Sequence, residues 1–222
     1  MPARERRPLR VALDAVLFRR PFTGRSAQRY LAARAAFGDF DERLLDALAE
    51  RLRGSDRLLE VGAGPAAFAA AAQRRLPALE VLALEPSPEL ARAAAARGGA
   101  IAVVRGVAEE LPLARASVAV AVCLSSIRHV ADRDRALREL RRVVRPGGLV
   151  LIAELDPRAP AERIRNHARR LPGPWLRAAF GPLIVRTAPP REAIVEAARR
   201  AGFTQVAARA DPLQPLYVLE LE

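Results

Sequence analysis

Two short motifs in this sequence combine glycines with an acidic residue at a spacing that suits the binding of a nucleoside. The first, Leu58-Leu59-Glu60-Val61-Gly62-Ala63-Gly64-Pro65, lies where an apolar run ends and a helical pattern begins. Glycines at such a point let the chain turn tightly and let a ligand approach the backbone. A plain tight turn explains the same pattern, so this motif alone does not identify a site.

The second motif ends the next apolar run with an acid, in Val81-Leu82-Ala83-Leu84-Glu85-Pro86-Ser87. Glu85 follows the glycines by about twenty residues, and a carboxylate at that spacing can accept hydrogen bonds from both hydroxyls of a ribose. A solvated residue beside a helix N-terminus is the alternative role for Glu85. A nicotinamide dinucleotide site has the same layout, so the two motifs predict a nucleoside cofactor without naming it.

The elements that must position these motifs alternate between strands and helices. Strands are predicted at 57–61, 79–84, 101–104, 118–124 and 149–154, with a closing pair at 203–209 and 216–221. Helices are predicted at 26–37, from a cap at Asp41 to about Gly54, and at 65–76, 88–97, 132–144 and 190–201. This order predicts an α/β fold with a Rossmann-like, mostly parallel seven-stranded sheet, helices on both faces and an antiparallel strand at the C-terminal end.

Further motifs follow the third and fourth predicted strands and precede the fifth, in a family-specific order. They are Gly106-Val107-Ala108-Glu109-Glu110-Leu111-Pro112-Leu113, then Ser125-Ser126-Ile127-Arg128-His129-Val130, and an Arg145-Pro146-Gly147-Gly148 turn before the fifth strand. In this order the sequence resembles the class I S-adenosylmethionine-dependent methyltransferases, and most of all the branch that acts on small molecules and quinone precursors. The resemblance covers Arg57 to Glu154 well, whereas the last two strands fit the usual tail of the family more loosely.

The resemblance implies S-adenosylmethionine as the cofactor and implies a role for each matching residue. The methionine part would be bordered by Glu60, Gly62, Ala63 and Gly64, and the ribose would be held by Glu85. The adenine would be flanked by Pro86 and Ser87, and along its other face would lie Val107, Ala108 and Glu109. The methionine and the sulfonium would be faced by Leu124 and Ser125.

This chain departs from the pattern of the family at three positions. The family often has a third glycine where this chain has Ala66, an acidic residue where it has Val107, and Asp where it has Ala119. Val107 removes an implied hydrogen bond to the adenine amine, for which Glu109 is the candidate substitute. A catalytically degenerate member of the family is therefore an alternative hypothesis.

The two histidines are the candidates for acid–base chemistry. His129 follows the fourth strand near the implied sulfonium, and it is the candidate catalytic base because imidazole can take a proton near neutral pH. Its alternative role is to cap or pack against the next helix. His167 lies among four arginines between 163 and 170, which form either a grip for an anionic substrate or a solvated helix face.

Two segments outside the alternating part are predicted to shape an acceptor pocket. Residues 1–38 form a basic N-terminal arm and helix, residues 39–222 form the methyltransferase domain, and residues 156–188 form a partly helical lid over the substrate. The arm is amphipathic, and it either packs against its own domain or contacts a membrane surface. The large apolar residues of the lid suit a pocket wall or simple packing on the sheet; they are Trp175, Leu176, Phe180 and Leu183.

The charge balance raises the question of a polyanionic partner. The chain has 37 basic residues, all of them Arg, against 25 acidic ones, which gives a formal net charge of +12. An RNA methyltransferase or another nucleic-acid-binding protein is therefore an alternative function, although a compositional bias toward Arg explains the same excess. The chain lacks the Pro-Cys motif of cytosine methylases and the Asn- or Asp-Pro-Pro-aromatic motif of amino-group nucleic-acid methylases. A small-molecule acceptor is favoured.

The remaining composition narrows the class of protein. The single cysteine, Cys123, excludes an internal disulfide and a multi-Cys zinc site, so no metal is expected, and it is predicted to be a core residue. No apolar run reaches the roughly 20 residues that span a bilayer. A chain without Lys has no Tyr-x-x-x-Lys pair, which argues against a nicotinamide-dependent oxidoreductase. The sequence thus favours a cytoplasmic S-adenosylmethionine-dependent methyltransferase with a small or medium organic acceptor, and it favours no particular oligomeric state.

Overall fold

A computed structural model describes residues 22–53 and 56–222, so most of the predicted N-terminal arm lies outside the described residues. The strands are β1 (Arg57–Val61), β2 (Glu80–Leu84), β3 (Ile101–Val104), β4 (Val118–Leu124), β5 (Val144–Leu155), β6 (Val206–Ala210) and β7 (Leu216–Leu221). The helices are α1 (Arg25–Ala33), α2 (Phe40–Leu48), α3 (Ala67–Arg75), α4 (Pro88–Ala95), α5 (Arg133–Val143), α6 (Ala161–Arg170), α7 (Pro174–Ala179) and α8 (Arg191–Arg200). Two 3₁₀ turns (Arg34–Phe37 and Ile127–His129) and a π-helical segment (Phe180–Val185) complete the regular structure.

The seven strands form one sheet in the order β3-β2-β1-β4-β5-β7-β6. The pairs from β3 to β5 are parallel, whereas β7 runs antiparallel to both of its neighbours. The predicted fold class is therefore confirmed, including the antiparallel closing pair. The strand order reverses between β1 and β4, and ligands of such sheets bind in the crevice beyond the carboxyl ends of the strands at that point.

Helices cover both faces of the sheet. Successive side chains of a strand point to opposite faces, so each strand contributes to two apolar cores. In β1, Leu58 belongs to one apolar core and Leu59 to the other. The first core packs against α2 and α3 through residues such as Leu48 and Phe68, and the second packs against α5 through Leu140. Every residue of β4 is buried. The continuous apolar runs of the sequence are thus explained by burial on both faces.

Several predicted boundaries differ from the structure, and two of these differences have a clear structural cause. The prediction that Asp41 caps a helix is wrong, because α2 begins at Phe40 and Asp41 lies in its first turn. Both oxygens of the Asp41 carboxylate accept hydrogen bonds from Nη2 of Arg34, at 2.7 and 2.6 Å. An ion pair to the preceding 3₁₀ turn has therefore replaced the expected cap.

Strand β5 begins five residues earlier than the predicted strand at Leu149. Val144 pairs with Val118, and the register then shifts before Val120 pairs with Leu149. The Arg-Pro-Gly-Gly sequence forms this irregularity inside the strand. A Cβ on Gly148 would lie 2.5 Å from the carbonyl oxygen of Ala119, so only glycine fits where the two strands approach.

The predicted lid, residues 156–188, consists of α6, α7 and the π-helical segment. It is helical as expected, and its inner side faces the edge formed by β4 and β5, where Arg128 donates a 2.8 Å hydrogen bond to the carbonyl oxygen of Ile184. No helix in the described part of the chain is long and apolar enough to cross a membrane.

Candidate active site

The turn after β1 depends on two glycines. Gly62 and Gly64 have φ angles of +68° and +56°, which L side chains rarely adopt. A Cβ on Gly62 would lie 2.5 Å from Cβ of Ser126, and a Cβ on Gly64 would lie 2.9 Å from Cε1 of Tyr30. The glycines therefore serve both the turn itself and the close approach of two other segments.

Position 66 keeps the conformation that a third glycine would favour. Ala66 has a φ of +52° and a ψ of 43° directly before α3. A left-handed conformation costs an L residue roughly 1–2 kcal/mol. The departure from the family pattern at this position has thus changed the residue without changing the path of the backbone.

Glu85 lies at the end of β2 with its carboxylate held by the backbone. One oxygen accepts a 2.7 Å hydrogen bond from the amide of Gly64, and the other accepts a 2.8 Å hydrogen bond from the amide of Ser87. Glu85 is only 4% exposed, and burial raises its pKa, which the two amide hydrogen bonds oppose. Since a carboxylate oxygen can accept more than one hydrogen bond, both oxygens can also receive donors from a ligand.

A first cavity of about 770 Å³, counting its open mouth, lies beyond the ends of β1, β2 and β4. Nine of the predicted site residues line it: Gly62, Gly64, Glu85, Pro86, Val107, Ala108, Glu109, Ser125 and His129. Leu84 and Leu90 add apolar wall. The other four predicted residues, Glu60, Ala63, Ser87 and Leu124, are not among its lining residues.

A second cavity of about 920 Å³ adjoins the first, and Phe22, Tyr30, Ser125 and His129 line both. Its walls come from α1 and the following turn, from the predicted lid, and from the ends of β4 and β5. The further lining residues are Ser26, Arg29, Ala33, Phe37, Arg128, Glu154, Leu155, His167, Leu171, Leu176, Phe180 and Ile184. The two cavities therefore meet beside the loop that follows β4.

Comparison with known proteins relates part of this chain to a domain family. Residues 59–152 match the model of the methyltransferase domain family. An uncharacterized methyltransferase of Mycobacterium sp. (strain JLS) is 40% identical over 112 residues, which are 50% of this chain and 43% of that protein. A ubiquinone/menaquinone biosynthesis C-methyltransferase of Syntrophotalea carbinolica is 33% identical over 62% of this chain and 61% of that protein.

A solved S-adenosylmethionine-dependent methyltransferase of Thermotoga maritima, described as a possible histamine N-methyltransferase, has a TM-score of 0.62 with this chain. It is 22% identical, and the match covers 87% of this chain and 92% of that one. Residues 59–152, less than half of the chain, therefore match a methyltransferase domain, and the chain has the fold of solved S-adenosylmethionine-dependent methyltransferases. The alignments with both curated relatives span less than two thirds of those proteins' own length.

Within this methyltransferase domain, Glu109 connects two loops of the first cavity. Its Oε1 accepts hydrogen bonds from the amides of Ala131 (2.9 Å) and Asp132 (3.1 Å), just before α5. Val107 is 45% exposed at the rim. The Glu109 carboxylate thus holds the loop after β4 against the loop after β3, and it remains the candidate substitute for an acid at position 107.

Glu60 lies behind the glycine turn, not in either cavity. Its Oε2 accepts a 3.0 Å hydrogen bond from the amide of Ala69 in α3, and the residue is 2% exposed. Burial raises the pKa of Glu60 to about 8, with a further increase from Asp41 and an opposing effect from Arg34. The carboxyl group is therefore mostly protonated at pH 7.

His129 stands where the two cavities meet. It ends the short 3₁₀ turn after β4, and its ring centroid lies 4.6 Å from that of Phe22. The ring is partly buried and lines both cavities, so the role of His129 as a catalytic base stays a prediction. Packing against Phe22 is also part of its environment.

Arg128 and Glu154 are buried polar residues at the same edge of the sheet. Arg128 is 2% exposed and donates through Nη1 to the carbonyl oxygen of Ile184 and through Nη2 to Oγ1 of Thr187. Glu154 accepts from the amides of Arg128 (3.3 Å) and Leu155 (2.8 Å). Burial raises the pKa of Glu154, while the charge of Arg128 opposes the increase. Together they tie the predicted lid to the sheet.

The structure corrects two expectations for the lid. Leu176 and Phe180 line the second cavity as expected, but Trp175 and Leu183 are 65% and 49% exposed and form no part of its wall. His167 is not on a solvated helix face, since it is 2% exposed. None of the four neighbouring arginines of α6 lines the second cavity, so they do not bind an anionic substrate there.

Sequence reasoning predicted that the segment up to residue 38 shapes a pocket but singled out none of its residues, and it missed Arg128 and Glu154 as lining residues. The cavity-lining residues of the first helical segment, Ser26, Arg29, Tyr30, Ala33 and Phe37, lie at the spacing of one helix face. Glu154 ends an apolar strand with an acid, just as Glu85 does. Arg128 directly precedes the predicted His129.

Cys123 takes no part in either cavity. It is 1% exposed within β4, and burial raises the pKa of its thiol to about 12. The predicted core role fits this environment, because a buried thiol is inert as a nucleophile. Among residues 22–53 and 56–222, no group of three or more His, Cys, Asp and Glu side chains is placed to hold a metal ion.

The pKa of Glu60 predicts a specific pH dependence of stability. Because the pKa in the folded state lies above the ordinary value of 4.5, folding favours the protonated form. The stabilising contribution is complete below pH 4.5 and is lost as the pH rises through about 8. Glu60→Gln keeps an acceptor for the Ala69 amide and cannot ionise. We expect the free energy of unfolding of the wild type to fall from pH 6 to pH 9 by about 2 kcal/mol more than that of the variant.

Urea unfolding of both proteins at several pH values measures this difference. Glu85 and Glu154 also have raised pKa values, but both titrate in both proteins and cancel in the comparison. Parallel pH profiles for the two proteins would show that Glu60 is ionised in the folded state.

Proposed function

We propose that the chain binds S-adenosylmethionine in the first cavity and transfers its methyl group to an apolar acceptor bound in the second cavity. The observation that carries this proposal is the junction of the two cavities at Ser125 and His129. A methyl donor and its acceptor must approach each other in line, and adjoining cavities hold two molecules in that relation. We infer a cytoplasmic location, where an unpaired Cys123 suits the reducing environment.

The residues of the first cavity fit the proposed cofactor. The carboxylate of Glu85 would accept from the ribose hydroxyls, and the backbone around Gly62 and Gly64 would leave room for the methionine part. The adenine would lie among the apolar side chains of the cavity, namely Leu84, Pro86, Leu90, Val107 and Ala108. When bound, S-adenosylmethionine supplies an electrophilic methyl group on a sulfonium.

The walls of the second cavity indicate the acceptor class. They are almost entirely apolar, with aromatic rings from Phe22, Tyr30, Phe37 and Phe180. Such walls favour a flat, apolar molecule over a sugar or a nucleotide. Since one relative is named a ubiquinone/menaquinone biosynthesis C-methyltransferase, we propose a hydroquinone-like aromatic acceptor.

His129 is the proposed base for this transfer. A hydroquinone that gives up its hydroxyl proton gains electron density on the ring carbons, so a ring carbon would form the new bond to the methyl group as the methyl–sulfur bond breaks and S-adenosylhomocysteine is released. The ring carbon would then lose its own proton to water, which restores the aromatic ring, and the hydroxyl oxygen would regain its proton from His129. His129 lines both cavities and can accept the hydroxyl proton near neutral pH.

Binding of the cofactor tests the first half of the proposal. Calorimetry with S-adenosylmethionine and S-adenosylhomocysteine, and with NAD and NADP for comparison, measures the affinity of the wild type. Glu85→Ala removes the acceptor of two charge-assisted hydrogen bonds from the ribose hydroxyls. We therefore expect S-adenosylmethionine and S-adenosylhomocysteine each to bind about 100-fold more weakly to the variant. Glu110→Ala is the matched control, since Glu110 is exposed and lines neither cavity.

The cofactor assignment fails if S-adenosylhomocysteine does not bind at millimolar concentration, or if NAD or NADP binds instead. Equal affinities of the wild type and Glu85→Ala would contradict the role of Glu85 even if the ligand binds.

The role of His129 is tested by kinetics with a naphthohydroquinone that carries a short alkyl tail. His129→Gln is expected to lower kcat by about 10²- to 10⁴-fold, because a general base contributes that much. The affinity for S-adenosylhomocysteine, measured on the same preparation, should stay within about twofold of the wild type. An unchanged kcat would assign His129 to packing against Phe22.

A further inference from the structure

His167 is held in a single orientation within the wall of the second cavity. It lies on α6, is 2% exposed and lines the cavity. Its ring stacks on Phe180, with a centroid distance of 4.5 Å and an angle of 8° between the rings. Phe37 meets it edge-on at 5.1 Å. Two aromatic neighbours therefore leave the imidazole little freedom to turn.

The hydrogen bonds around Gln214 determine which nitrogen of His167 carries the proton. Nε2 of Gln214 donates a 2.9 Å hydrogen bond to the carbonyl oxygen of Phe37. A backbone carbonyl can only accept, so the NH₂ end of the amide must face Phe37. The oxygen end then lies 2.7 Å from Nδ1 of His167, and Nδ1 must be the protonated nitrogen that donates to it. In the neutral ring, Nε2 is left with a lone pair.

The surroundings favour the neutral ring. Burial lowers the pKa of His167, and the charge of Arg170 lowers it further, while the hydrogen bond to Gln214 opposes both effects. The nearby guanidinium of Arg128 donates to Ile184 and Thr187 of the lid. A neutral imidazole in an apolar wall offers a hydrogen-bond acceptor to whatever enters the cavity.

We propose that Nε2 of His167 accepts a hydrogen bond from a hydroxyl group of the acceptor molecule, so that the second cavity selects a phenol or hydroquinone over the matching ether or quinone. This proposal rests on the second cavity being the acceptor site. It adds a specificity-determining residue, because a ligand without a hydroxyl leaves a buried lone pair without a donor.

The tautomer is measurable in the unmodified protein. The chain has only two histidines, so protein with ¹⁵N-labelled histidine gives ring-nitrogen signals from His129 and His167 alone. His129→Gln assigns the signals of each ring. We expect His167 to show a protonated Nδ1 and a bare Nε2, and we expect the Nε2 signal to move toward the protonated position when 1-naphthol is added. The ether 1-methoxynaphthalene should leave that signal in place.

A variant measures the energetic effect with the same two probes. His167→Phe keeps a ring for Phe180 to stack on and removes the acceptor nitrogen. Wild type is expected to bind 1-naphthol about three- to tenfold more tightly than 1-methoxynaphthalene, and the variant should lose this preference while it still binds the ether. The variant leaves the oxygen of Gln214 without its donor, so the nuclear magnetic resonance measurement stands as the test if the variant does not fold.

A protonated Nε2, or equal effects of the phenol and the ether on His167, would overturn the proposal. S-adenosylhomocysteine is titrated into the same samples. If it binds while the naphthol has no effect on His167, the role of His167 fails and the proposed cofactor site stands. If neither binds, the proposed function itself fails.

Discussion

The contact between the turn after β1 and the loop after β4 is the constraint on which both cavities depend. Gly62 leaves space for Ser126, whose Oγ donates a 2.8 Å hydrogen bond to the carbonyl oxygen of Val61. The amide of Ser125 in turn donates to the carbonyl oxygen of Ala153 at 2.7 Å, with a positive φ of 51° at Ser125. Three neighbouring strands are thereby linked at their carboxyl ends. The loop after β4 lines both cavities where they adjoin.

Two polar side chains near this contact, Tyr30 and Glu60, have raised pKa values. Burial raises the pKa of Tyr30 to about 12 and that of Glu60 to about 8, so both are mostly neutral near pH 7. Arg34 and Asp41 form an ion pair at 2.6 Å beside them. The first helical segment packs against the glycine turn where Tyr30 closely approaches Gly64, and Tyr30 lines both cavities. Other arginines also pair with acids, since Arg43 pairs with Asp211 and Arg145 pairs with Asp56.

The sheet and nine of the residues that line the first cavity could be predicted from the sequence. Apolar runs predict the strands because both faces of this sheet are buried. Gly62, Gly64 and Glu85 could be predicted as site residues because backbone conformation and the position at a strand end restrict the residue type there. The second cavity could not be predicted in the same way. His167 depends on Gln214 and Phe37, which lie far from it in the chain and come together only through folding. Its arginine neighbours instead suggested a charged surface, since sequence spacing does not show which face of α6 is buried.

The departures from the family pattern have different structural consequences. Ala66 keeps the left-handed backbone conformation that favours glycine. Position 107 lacks an acidic residue, but Glu109 lies two residues later and accepts hydrogen bonds from the loop before α5. Ala119 is buried in β4, where its carbonyl oxygen closely approaches Gly148. Ala66 and Ala119 do not line the first cavity, and Val107 lies at its rim.

A crystal structure of the protein with S-adenosylhomocysteine tests the central claim most directly, because it shows where the sulfur lies relative to both cavities. The account predicts that the ribose hydroxyls contact the carboxylate of Glu85 and that the sulfur lies beside Ser125 and His129, facing the second cavity. A ligand bound elsewhere, or a sulfur directed away from the second cavity, would contradict it.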